Sequence, residues 1–176
     1  MIILVFSDSH GTPLLMLRAL KAHPDAGALV HLGDGAAEFR RLSSAGGLPA
    51  YAVKGNCDWA DREAADLKEV LVFEAAGKRI MITHGHTLGV KSGIFTLIGE
   101  AKDRHADIVC YGHTHERFEK YFPDESEDEN GEKKGLYVFN PGSCGFPHQG
   151  EFSYGIMDLQ PSGVSLSAAV FDSLVG

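Results

Sequence analysis

The sequence predicts an α/β fold in which a second sheet packs on a first, parallel one. Three observations carry that expectation. Short apolar runs, unbroken enough to be buried on both faces, alternate with helical patterns through the first part of the chain. Each run ends in a polar, glycine-marked turn, as the strands of βαβ units do. From about residue 69 strand-like runs dominate and outnumber what one sheet would need.

Residues 2–6 form the first expected strand and lead directly into Ser7-Asp8-Ser9-His10-Gly11. Thr12-Pro13 then opens a helix to about His23, with Leu14, Leu17, Ala19 and Leu20 expected on its apolar side. A second strand over 28–32 ends in Gly33-Asp34-Gly35, and a helix over 37–44 follows. The third strand, 50–53, ends in Lys54-Gly55-Asn56-Cys57-Asp58. Strands over 70–74 and 79–83 meet at Ala76-Gly77-Lys78, and the second of them runs into His84-Gly85-His86. A helix over 92–104 leads to a strand at 107–111, whose end is Gly112-His113-Thr114-His115. Further strands are expected at 118–122, 136–140, 154–159 and 164–171, with Asn140-Pro141-Gly142-Ser143 as one of the turns.

At 176 residues the chain is expected to form a single domain over 1–176, with a core of ordinary size. Its net charge of −8 argues against general nucleic-acid binding, which needs clustered Lys and Arg. Half of that charge lies in 124–134, where six acidic residues face two lysines without an apolar anchor. That segment reads as a solvated, mobile hairpin loop. The first apolar run is too short for a membrane span and has no basic segment before it, so a cytoplasmic protein without membrane association is expected. Cys57, Cys110 and Cys144 lack CxxC spacing, which argues against a disulfide framework or a thiolate zinc site.

The chemistry gathers at strand ends. In open α/β sheets ligands collect beyond the carboxyl ends of the strands, and here those ends carry Asp8, His10, Asp34, Asn56, His84, His113 and His115. Oxygen and nitrogen donors without a thiolate suit divalent cations, manganese first, with nickel, iron or zinc as alternatives. Two such cations need a bridging group, and Asp34, between glycines, is the natural one. Each member also has a bland reading. Asp8 and Ser9 alone could simply cap a helix, and only the recurrence of the pattern at five strand ends sets that reading aside.

Asp-x-His, Gly-Asp, Gly-Asn, Gly-His and Gly-His-x-His, in this order, resemble the calcineurin-like metallophosphoesterases, and GDG, GNCD and NPGS resemble their YfcE-like phosphodiesterase branch. The resemblance implies an αββα four-layer sandwich of two mixed sheets flanked by helices. It implies one cation held by Asp8, His10, Asp34 and His115, and another held by Asp34, Asn56, His84 and His113. The implied reaction is hydrolysis of a small phosphodiester by a hydroxide bridging the two cations. Asn56, Cys57 and Asp58 would face the substrate, and Asn56, Asp34 and His86 would take part in catalysis.

One departure from the superfamily's pattern is Cys57, which stands where many members carry the histidine proposed to protonate the leaving group. A thiol is a poor acid for that task near neutral pH. His86 is the replacement to consider, against a plain polar loop histidine. Two rival readings remain open: a phosphomonoesterase, and a non-catalytic scaffold such as vacuolar sorting protein 29, which resembles the same branch. Retention of every ligand histidine favours an enzyme. Whether the protein forms a homo-oligomer is left open by the sequence.

Overall fold

The computed structural model describes residues 1–127, 133–148 and 150–171. Its centre is β1 (Ile2–Phe6), every residue of which beyond Ile2 is buried. The strand alternates between two cores. Ile3 and Val5 point toward a second sheet, whereas Leu4 and Phe6 point toward two helices, α1 (Leu14–Ala22) and α2 (Ala36–Gly46). This is the period-two geometry of a strand applied to a residue run that is apolar on both faces.

Parallel to β1 lie β2 (Ala26–His31) and β3 (Ala50–Ala52), joined through the two helices as crossovers. Gly47, in the left-handed conformation at φ 69°, ends α2. The second sheet begins with the hairpin β4 (Val70–Ala75) and β5 (Lys78–Thr83) and continues with β6 (Ile108–Tyr111), β7 (Arg117–Glu127) and β8 (Lys133–Pro141). Its order is β4-β5-β6-β8-β7, with β5, β6 and β8 parallel. The helix α3 (Phe95–Asp103) covers its outer face through Leu97 and Ala101 against Met81 and Val109. Ile80, Ile82, Ile108, Cys110 and Phe139 fill the space between the sheets. The layers are therefore helix, sheet, sheet, helix, as expected.

Three details differ from the sequence reading. The last strands, β9 (Phe152–Gln160) and β10 (Gly163–Phe171), do not extend the second sheet but return to the first, giving the order β10-β9-β1-β2-β3. Strand periodicity carries no information about which edge a strand will join. The helix α1 buries Leu15, Met16 and Ala19, while Leu14 and Leu17 remain 46% and 45% exposed. Its opening Leu-Leu-Met-Leu is apolar all round, so the sheet beneath sets the rotation. Lastly, β7 and β8 pair as far as Glu127 and Lys133, taking up both ends of the acidic segment expected to be a loop. Residues 128–132 of that segment lie outside the described residues.

Candidate metal centre

Three strands of the first sheet and two of the second end at one cleft, and the loops after them carry all seven expected donors. β1 delivers Asp8 and His10, β2 Asp34, β3 Asn56, β5 His84, and β6 His113 and His115. The loops are stitched backbone to backbone: Asp8 N–H donates to Gly33 O, His10 N–H to Asp34 O, Gly112 N–H to His84 O, and Gly145 N–H to Asp8 O, at 3.0–3.2 Å. Asp8, His10, Asp34, His113 and His115 all adopt positive φ, between 45° and 68°. Such backbone costs about 1–3 kcal/mol per residue and persists where surrounding structure enforces it, above all at functional sites.

The closeness of these loops depends on glycine. A Cβ on Gly55 would strike Asp34 Oδ1, and one on Gly112 would strike Ser7 Oγ and come within 2.9 Å of Asp8 Oδ2. The Gly-Asn and Gly-His dipeptides thus give the carboxylates their room.

Among the described residues donor atoms meet in three groups: Asp8, His10 and His115; His10, Asp34 and Cys57; and Asp34, His84 and His113. Asp34 and His10 each belong to two of them. His84 shows the character of the site most clearly. Its Nδ1 must donate to the Leu32 carbonyl, 2.8 Å away, because a carbonyl can only accept. Nε2 then faces Asn56 Oδ1 and His113 Nδ1 at 3.1 Å and Asp34 Oδ2 at 3.4 Å. One nitrogen cannot satisfy three acceptors. Lone pairs converging on one point suit a cation, with the backbone carbonyl fixing the ring's tautomer from behind.

His115 repeats the device, its Nδ1 donating to Phe146 O at 2.5 Å and its Nε2 lying 3.0 Å from Asp8 Oδ1. With the ring proton on Nδ1, the neutral ring has none to offer from Nε2, which leaves Asp8 Oδ1 a fully buried carboxylate oxygen without a hydrogen-bond donor, while Oδ2 takes Ser7 Oγ and the His113 N–H. A buried anionic oxygen left this way is costly unless a cation meets it. The donor set and its orphaned oxygen therefore fit divalent metal.

The titration behaviour follows from the same crowding of charge. Burial works to raise Asp8 and Asp34, but neighbouring imidazoles and hydrogen bonds outweigh it and hold both carboxyls below the ordinary range. Burial works to lower His84, yet Asp34 and Asp8 raise it, and His115 is raised by Asp8. His113 is pushed down to about 4 by burial, His84 and Lys91.

Of the residues expected to face substrate, Asn56 and Cys57 are exposed at the cleft, and Asn56 Nδ2 donates to Cys57 Sγ at 3.3 Å. The Cys57 thiol is pushed up to about 11 by burial and by Asp34, which leaves it protonated near neutral pH. Asp58 has a different place from the expected one. It is buried, and its two oxygens accept from the backbone N–H groups of Asp34, Gly35, Ala36 and Gly55 at 2.8–3.2 Å. Its carboxylate is fully engaged in holding the Asp34 and Asn56 loops together. His86 flanks the cleft with its ring 5.3 Å from that of His84; its Nδ1 is buried without a partner, and burial followed by His84 lowers its pKa.

Sequence reasoning missed the supporting layer. His31 is wholly buried, accepts from Gly33 N–H at Nδ1 and meets Ser9 Oγ at 3.1 Å through Nε2, and burial pushes it down to about 4. Ser143 Oγ donates to Asp8 O at 2.8 Å and accepts the Phe146 N–H at 2.7 Å. A histidine inside an otherwise apolar strand was the one available signal for this layer.

Residues 1–162 match the calcineurin-like phosphoesterase superfamily domain. The chain is 32% identical over 161 residues to the probable metallophosphoesterase YsnB of Bacillus subtilis (strain 168), covering 90% of this chain and 84% of that protein. A predicted phosphoesterase from Streptococcus pneumoniae TIGR4 superposes with a TM-score of 0.72 at 26% identity, over 96% of this chain and 88% of the other. Vps29 of Entamoeba histolytica, in complex with zinc, has the same fold at a TM-score of 0.67 and 19% identity, over 98% of this chain and all of the other. No helix among the described residues is long and apolar enough to cross a membrane.

Proposed function

The chain belongs to the calcineurin-like phosphoesterase superfamily, and from that membership we propose that it hydrolyses phosphodiesters with two divalent cations bound at the strand ends. The observation that carries the reading is the place of Asp34, whose carboxylate is shared between a donor group with His10 and Cys57 and one with His84 and His113. Asp8, His10, Asp34 and His115 would hold one cation, and Asp34, Asn56, His84 and His113 the other. Bound cations supply Lewis acidity, lowering the pKa of water and attracting phosphate oxygens.

The chain's own residues do the rest. Asp8 and Asp34 bring negative charge into a buried cleft, where it acts with little screening. Asn56 turns Oδ1 toward His84 and leaves Nδ2 at the open side, where it can donate to a phosphate oxygen. Leu32 O and Phe146 O hold His84 and His115 in the tautomer that presents Nε2. No strong acid lies at Cys57, so the leaving oxygen would depart with little protonation, unless His86 serves.

A diester rather than a monoester is favoured by the open groove beside His113 and His115, which has room for an ester arm. Retention of all seven donors favours an enzyme over a scaffold. The test is a panel of phosphomonoesters and phosphodiesters with protein reconstituted with manganese, nickel, iron or zinc to a measured content. Turnover confined to diesters is the expected result. Turnover confined to monoesters would replace the reading with a phosphomonoesterase, and absence of turnover at full metal content would leave the scaffold.

A further inference from the structure

A groove of about 730 Å³ opens from His113 and His115 and runs between the 3-10 turn Val90–Ser92, the start of β7 and the loop after β8. Ile94 and Phe118, both half-buried, line one part of it, Phe146 lines another, and Lys91 also borders it. Phe146 decides what it can hold. The residue is fixed at both polar ends, its N–H on Ser143 Oγ and its carbonyl under His115 Nδ1. Its ring stands edge-on to His10 and His115, each centroid 6.0 Å away, yet the residue is 68% exposed. An anchored aromatic ring open to water gains most from a flat apolar group laid against it, since both lose hydrated surface.

Charge narrows the occupant further. Arg117 is paired with Glu151 at 2.5 Å, and His148 lies 3.8 Å from Glu116. Among the described residues Lys91 has no carboxylate partner, and its charge reaches His113 and His115. An open aromatic face, half-buried apolar walls and an unpaired ammonium beside a cation-binding cleft complement an aromatic group attached to an anionic phosphate.

We propose that this groove holds one ester arm of the substrate and selects an aromatic one, Phe146 contacting the ring and Lys91 attracting the phosphate. The proposal rests on the phosphodiesterase reading above. It is tested by equilibrium binding of phenylphosphonate and methylphosphonate to metal-loaded protein, which needs no turnover. Wild type is expected to bind the phenyl compound about five- to tenfold more tightly than the methyl one. Phe146→Ala should bring that ratio close to one when compared at matched, measured metal content, and Phe146→Tyr should restore it. Lys91→Gln should weaken both ligands by a similar factor and leave the ratio alone. A wild-type ratio near one, or a ratio untouched by Phe146→Ala, overturns the proposal. If no ester of the panel is hydrolysed while the phenyl preference persists and depends on Phe146, the phosphodiesterase reading fails and the aromatic groove stands.

Discussion

Replacing Asp34 by Asn removes a negative charge from the point where two donor groups meet, so on the proposed two-cation reading both ions should be held less tightly. Asp8→Asn touches only the group with His10 and His115 and should weaken chiefly one. Elemental analysis of the two variants after identical dialysis checks this; two tightly held ions per chain in Asp34→Asn would refute the bridge. Cys57→His makes a different demand on the same cleft. It places an imidazole acid where the thiol, pushed up to about 11, cannot serve, and should raise turnover of alkyl diesters by up to about 10²-fold, more than that of nitrophenyl diesters. Rates at matched metal occupancy decide it, and an equal gain on both substrates would argue against a leaving-group role. The seven candidate donors were legible as residues because each follows a glycine or a strand end in a fixed order. Asp58 was not, since a carboxylate that accepts four backbone N–H groups and one that meets a ligand look alike in sequence. The buried layer of Ser9, His31 and Ser143 was hidden for the same reason: its partners are mostly loops far away along the chain.

Among the elements, the turns after β2 and β3 depend on each other through Asp58. Asp58→Ala would leave four backbone donors of those turns without their acceptor, and a loss of about 3 kcal/mol is expected. Urea unfolding of the metal-free variant measures it, and a loss under about 1 kcal/mol would mean that water or a shifted turn replaces the carboxylate. Metal affinity should fall as well, because Asp34 N–H is one of the four. At this scale the fold was largely readable. Continuous apolar runs announced strands buried on two faces, and polar, glycine-marked turns announced where they end. The rotation of α1 and the sheet joined by β9 and β10 were not readable, because an all-apolar turn has no polar face to orient it and strand pairing over long sequence distances leaves no local trace.

Taken whole, the molecule consists of two sheets joined by an apolar interface and, at one end, by a cleft whose candidate ligands come from both: Asp8, His10, Asp34 and Asn56 from the first, His84, His113 and His115 from the second. Bound cations should therefore stabilise the sandwich as a unit. At a free metal concentration of 100 Kd the gain is about 2.7 kcal/mol, or roughly 5–10 °C in Tm for a chain of this size. Scanning calorimetry with and without chelator tests this, and an unchanged Tm would mean that the ligands do not span the sheets as tightly as the geometry implies. The position of β1 has a further consequence, for the growing chain. One of its edges is covered by β2 almost at once, but the other pairs with β9, Ile2 lying opposite Asp158. At a translation rate of about 5–20 residues per second, β1 waits roughly 8 to 30 s with that edge bare. A bare, apolar strand edge is a template for the wrong partner, including the same segment on a neighbouring nascent chain. The protein's yield in a cell should accordingly depend on what shields that edge during synthesis, whether a ribosome-associated chaperone or the wide spacing of ribosomes on its message.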